Sequence, residues 1–102
     1  MKINNYCAMF EALGFEARLK VFKYIIQSGN QGVAPKQIIQ EFDLDSGTLS
    51  FHLKKLEKVQ LITKTEAAKR GKYRVSPSLP KSFMQIFLVE LANESAGFMP
   101  LL

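Results

Sequence analysis

Residues 34–75 read APKQIIQEFDLDSGTLSFHLKKLEKVQLITKTEAAKRGKYRV, and this stretch parses into two helices joined by a tight turn and followed by a hairpin. Pro35 suits the first position of a helix, where its fixed φ is already helical and its missing N–H would have had no partner. Ile38, Ile39 and Phe42 follow at helical spacing, which predicts a short helix over 35–42. Asp43, Leu44 and Asp45 make the turn. Asp45 is placed to cap the next helix, because its carboxylate accepts from the free N–H groups of the first turn and the helix dipole favours a negative charge there. That helix is expected from Ser46 to about Val59. Leu61–Thr65 and Lys72–Val75 are rich in β-branched or aromatic residues, and the loop Glu66–Gly71 joins them as a hairpin.

On either side of this unit the pattern is helical. A first helix is expected over Asn4–Leu13, with Ile3, Cys7, Phe10 and Leu13 or Gly14 forming its apolar stripe. A second, Glu16–Ser28, carries Leu19, Phe22 and Ile26 on one face with Val21 and Ile25 beside them, and Ser28, Gly29 and Asn30 stop it. Ser76, Pro77, Ser78 and Pro80 break the chain before a last helix over about 81–93. The order of elements is four helices, a hairpin and a helix. This is a mainly α domain with a small β-hairpin, expected to occupy the whole of residues 1–102.

The fourth helix has two unlike faces. On a wheel of about 100° per residue, Leu49, Leu53 and Leu56 fall within an arc of about 60° and make a buried stripe. Opposite them lie Gly47, Phe51, Lys54 and Lys58, flanked by Ser50, Lys55 and Thr48. Such a face suits a DNA major groove, which admits a helix and offers donors, acceptors and thymine methyl groups. Ser46, Thr48 and Ser50 would supply hydroxyls to the bases, Gly47 close approach, and Phe51 a contact for a methyl group. Lys54, Lys55 and Lys58 lie farther along, where phosphates are the natural partners. Blander readings stand beside these. Ser46 and Thr48 are equally at home as first-turn residues and Phe51 as part of a protein contact. His52, bordering the leucine stripe, is counted with the DNA-contacting set through a phosphate or base, with a satisfied helix histidine as its rival.

Charge follows the same division. The net charge is +5, but residues 46–81 hold nine basic side chains against two acidic ones, while the remainder holds five against seven. Lys69, Arg70 and Lys72 cluster around Gly71 at the hairpin tip, where glycine can take the positive φ of a tight turn. A basic hairpin after such a helix pair is expected to reach DNA backbone or minor groove. A solvated charged face without a ligand is the alternative.

Three stretches resemble the winged helix-turn-helix regulators of the arsenical-resistance-repressor type, or ArsR-type. They are Ala12, Leu13, Gly14 with Ala17, Arg18, Leu19; the run LDSGTLSFHLKKL over 44–56; and Arg70, Gly71, Lys72, Tyr73. The resemblance spans about residues 8–75 and implies a homodimer that represses transcription from an inverted-repeat operator in double-stranded DNA. It implies pairing through the first and last helices, with Tyr6, Phe10, Phe83, Phe87, Leu88 and Leu91 at the interface. The last helix is itself apolar on most sides, which independently favours a second buried surface.

The departures from the family pattern limit what the likeness carries. Many members bind metal through paired cysteines in the third helix or histidine and carboxylate ligands in the last. Here the third helix reads PKQIIQEF and the last has neither histidine nor cysteine, so with one Cys and one His in the chain no metal, and no other cofactor, is expected. Cys7 reads as a buried apolar filler, with a redox switch across the dimer axis as the rival. The family's usual Asp-Pro before the second helix is replaced by Phe15 and Glu16, which opens the way to an exposed aromatic ring. No apolar run approaches the roughly 20 residues that span a bilayer, so no membrane partner and a cytoplasmic location are expected. His52 has only Ser50 near it in the helix and no carboxylate, so an enzyme is not expected. A protein-interaction module, anchored by Phe51 and the apolar tail 97–102, is the reading from another class.

Overall fold

The computed structural model describes residues 3–65, 71–80 and 82–85. Four helices come first, α1 (Ile3–Leu13), α2 (Glu16–Gln27), α3 (Pro35–Phe42) and α4 (Ser46–Lys58), then strands β1 (Ile62–Lys64) and β2 (Tyr73–Val75). The strands pair antiparallel with Ile62 opposite Val75 and Lys64 opposite Tyr73. Residues 82–85 are helical; the rest of the expected last helix lies outside the described residues. Among the described residues no helix is long and apolar enough to cross a membrane.

Helix boundaries follow local chemistry. Ser28 closes α2 by turning its hydroxyl and its N–H onto the Ile25 carbonyl oxygen, at 2.6 and 3.1 Å. Gly29 then takes a left-handed φ of 62°. At α3, Pro35 stands at the start as expected, and the Gln37 side chain accepts from the Ala34 N–H at 2.9 Å, one half of a capping box. The end of α4 is a Schellman motif built without glycine. Gln60 adopts a left-handed φ of 64°, its N–H donates to the Glu57 carbonyl oxygen, and the Leu61 N–H reaches back to that of Leu56, both at 3.0 Å. Leu56 and Leu61 are both fully buried, which supplies the apolar contact that accompanies this motif and delivers the chain into β1.

One core joins all the elements. Met9, Ala12 and Leu13 of α1 meet Val21, Phe22, Ile25 and Ile26 of α2, Ile38 of α3, the Leu49–Leu53–Leu56 stripe of α4, and Val33, Leu61, Ile62, Leu79 and Phe83. The leucine stripe faces inward as its spacing predicts. The face of α1 does not. Ile3 and Phe10 are 81% and 55% exposed, Cys7 is exposed, and Met9 with Ala12 turns inward instead. The expected buried filler at Cys7 is thus corrected. The apolar arc of α1, from Met9 through Leu13, Tyr6, Phe10 and Ile3 to Cys7, is wider than one buried face, so helical period could not select which part of it turns inward.

The wing is tied to the body by a contact absent from the sequence reading. Val33 and Tyr73 exchange backbone hydrogen bonds of 2.9 and 2.8 Å, so the segment before α3 extends the two-stranded ladder. Gly32 makes that approach possible. Its φ is 76°, and a Cβ there would lie 2.9 Å from the Tyr73 carbonyl oxygen and 3.1 Å from Thr65 Cγ2.

Candidate nucleic-acid interface

Asp45 starts α4 and sets which way its first turn points. Its Oδ2 accepts from the Thr48 N–H at 3.0 Å and its Oδ1 from the Thr48 hydroxyl. These bonds, the hydroxyl foremost and the backbone N–H next, hold the Asp45 carboxyl below its ordinary range. Gly47 accommodates the arrangement, since a Cβ there would press on Asp45 Oδ2 at 3.2 Å. Thr48, expected to offer its hydroxyl to bases, has that proton engaged by Asp45 and retains only acceptor capacity outward.

With the leucines locked beneath, Ser46, Gly47, Thr48, Ser50, Phe51, Lys54, Lys55 and Lys58 are all exposed. His52 is the departure from the expected set. It is 5% exposed and turned against α2, with its ring 5.5 Å from that of Phe15 and 5.9 Å from that of Phe51. One turn of helix separates reading from packing here, and residue 52 falls on the packing side. Burial, and then the positive charge of Arg18, lowers the His52 pKa below its usual value. Its Nδ1 accepts a long hydrogen bond of 3.5 Å from Arg18 Nε, which places the neutral ring's proton on Nε2.

Arg18 belongs to the family pattern and Phe15 departs from it, and neither was expected at the interface; together they form the flank of this face. Phe15 is 53% exposed, as the loss of the Asp-Pro start allowed. The Arg18 guanidinium lies 5.2 Å from its ring centre and 5.8 Å from that of Phe51, and Lys55 Nζ stands 5.4 Å from the Phe51 ring. On the opposite flank a groove runs between α3, α4 and the wing, with Ser50, Leu53 and Lys54 on one wall and Lys64 and Tyr73 on the other. Lys64 Nζ sits 5.9 Å from the Tyr73 ring, and Lys72 is exposed. Lys69 and Arg70 lie outside the described residues. Arg74 points away from the wing face, donating to Asn30 Oδ1 at 3.0 Å.

A second surface lies on α1. Phe10 stacks at 5.6 Å on Phe83, and Tyr6 approaches the same ring at 6.1 Å. Phe83, expected at a dimer interface, is 5% exposed within a single chain, so it underlies the patch that Phe10 and Ile3 present. Phe87, Leu88 and Leu91 lie outside the described residues. Among the described residues, no three His, Cys, Asp or Glu side chains come together.

The helix-turn-helix domain family matches residues 13–65. Among solved structures the chain is similar to HlyU from Vibrio cholerae, at 22% identity and a TM-score of 0.70, covering 89% of this chain and 97% of that one. It is also similar to the homodimeric winged helix-turn-helix DNA-binding domain of a possible ArsR-family transcriptional regulator from Mycobacterium bovis. There the identity is 20% and the TM-score 0.69, over 90% of this chain and 81% of that one. An ArsR-like transcriptional regulator from a Rhodococcus species matches at 14% identity and a TM-score of 0.65, over 92% and 82% of the two chains. At these identities the likeness is one of fold, and it is the winged helix-turn-helix fold expected above. No curated protein matches the sequence.

Proposed function

The chain belongs to the helix-turn-helix domain family, and on that premise we propose that it is a sequence-specific regulator of transcription that binds double-stranded DNA as a homodimer. Each α4 enters one of two successive major grooves, about 34–36 Å apart, and each wing rests on flanking backbone. Ser46, Gly47 and Ser50 meet base edges, Lys54, Lys55, Lys58 and Lys72 meet phosphates, and Lys69 and Arg70 extend the basic wing. Phe10 and Ile3 of α1, backed by Tyr6 and Phe83 and continued by the last helix, join the two copies. The dimer acts in the cytoplasm as a repressor at an inverted-repeat operator, without a metal ligand set.

The observation that carries this reading is the opposition of faces on α4. Three buried leucines fix the helix, and small polar groups and lysines stand exposed on the other side. The homodimeric Mycobacterium bovis domain supports pairing. Selection of bound duplexes from a random pool tests the whole proposal, with a palindromic consensus as the expected outcome. Ser50→Ala is then expected to relax base preference, and Lys54→Ala to weaken binding to all sequences alike. Failure to shift any duplex at low salt would turn the reading toward a protein-interaction module.

A further inference from the structure

Arg18 links its own helix to two others. From the first turn of α2, its Nη1 donates to the Ala12 carbonyl oxygen in the last turn of α1 at 3.2 Å, and its Nε donates to Nδ1 of His52 on α4 at 3.5 Å. The faces of the same guanidinium lie against two rings, Phe15 before α2 and Phe51 on the outer face of α4. These contacts use what is particular to arginine. A planar fork sends separate donors to two acceptors while its flat faces stack on aromatic rings, whereas a lysine places one charge at one point.

Each end of this span has a reason to hold the cation. α1 has no basic residue in its own last turn, where free carbonyls carry the negative end of the helix dipole. Arg18 supplies that charge from the next helix. On α4, Phe51 is the largest side chain of the outer face and is 47% exposed, yet it stands between two cations, Arg18 from the scaffold and Lys55 from its own helix. His52, directly beside it, is held in the tautomer whose Nδ1 lone pair faces Arg18.

We propose that Arg18 is a positioning residue for DNA readout: it fixes the orientation of Phe51 and the seat of α4 against the end of α1, and so governs sequence discrimination without touching DNA. The inference rests on the DNA-binding reading above for the meaning of the outer face. The arrangement of Arg18, His52 and Phe51 is testable apart from it.

The experiment uses the full chain as wild type, Arg18→Lys and Arg18→Met, each checked for folding by thermal melting. Binding is measured against the duplex selected by wild type and against random duplex. Arg18→Lys keeps the charge and loses the fork. It is expected to bind random DNA within about twofold of wild type with an unchanged salt slope, and to lose tenfold or more of its preference for the selected duplex. Equal losses on both duplexes, or a preference kept within twofold, would overturn the proposal. A second readout needs no DNA. Ring 15N shifts of His52 and ring proton shifts of Phe51 are expected to move in both variants as the tautomer and the stacked ring are released. If wild type binds no duplex, the function reading fails and the readout role of Arg18 falls with it; if wild type binds and these signals are unchanged in both variants, the readout role is overturned while the function reading stands. If Arg18→Met does not fold, Arg18→Lys carries both measurements.

Discussion

Phe10 and Phe51 are both aromatic rings left about half open to water on a helix surface, and their surroundings are opposite. Phe10 lies over Phe83, on a helix that also exposes Ile3 and Cys7 and has no basic residue in its last turn. Phe51 lies between Arg18 and Lys55, with Lys54 and Lys58 on the same helix. An apolar patch backed by a buried ring suits a second apolar surface. A ring framed by cations suits an anionic partner with apolar groups on it, which describes the floor and edges of a DNA groove. Exposure alone does not distinguish the two sites; the charge around each ring does.

The comparison is broken most severely from beneath. Leu53 is buried under the outer face of α4, and Leu53→Ala is expected to cost about 2–5 kcal/mol of stability, read by urea denaturation, and to disable both surfaces together. Phe10→Glu separates them. It sets like charges facing across a two-fold contact, and sedimentation equilibrium is expected to show self-association weakened by tenfold or more, about 1.4 kcal/mol, while random-DNA binding by the monomer persists. If sedimentation is unchanged, α1 is not the pairing face. The salt dependence sharpens the other side. With about four phosphate contacts per protomer, log affinity should fall against log salt with a slope near −7 for the dimer, and Lys54→Ala should make it shallower by about 2, one contact in each protomer. A slope near zero would remove the anionic partner altogether.

The smallest effect concerns pH. His52 resists protonation in the folded chain because it is buried and faces Arg18, whereas in the unfolded chain it takes a proton near its ordinary value of 6.5. Its contribution to stability is therefore fully present above that pH and drains away as the pH falls below it toward the folded value. Arg18 is the charged group that faces the ring; Lys55 on the same helix and Glu11 on α1 line the neighbouring groove that Arg18 shares with Phe51. His52→Gln, which keeps an acceptor for Arg18 and cannot titrate, should flatten the melting temperature between pH 7 and 5.5. A variant whose acid sensitivity matches wild type would place the titrating group elsewhere.

What could be read from sequence was what local chemistry decides. The leucine stripe, the Asp45 cap and Pro35 at the start of α3 depend on neighbours within one or two turns, and each stands where its spacing put it. The inner face of α1 was not legible, because the apolar arc that holds Tyr6, Met9 and Phe10 is wider than the face that packs, and spacing alone does not say which edge turns inward. Nor was the role of Arg18, whose partners Ala12, Phe15, Phe51 and His52 lie on three different segments and meet only after packing. His52 sat at the border of two faces on the wheel, and a tertiary contact decided it.

The pairing of Val33 with Tyr73 bears on how the molecule assembles. The stretch between them contains all of α3 and α4, so joining them closes a long loop whose entropic cost grows with its length. That closure is rewarded only after the two helices have packed on α2 and brought both ends together. The reading helix is therefore expected to pack before the base of the wing is fastened. Amide exchange at Val33 should be as slow as in the core, and strain at Gly32, as in Gly32→Ala, should speed unfolding more than it slows folding.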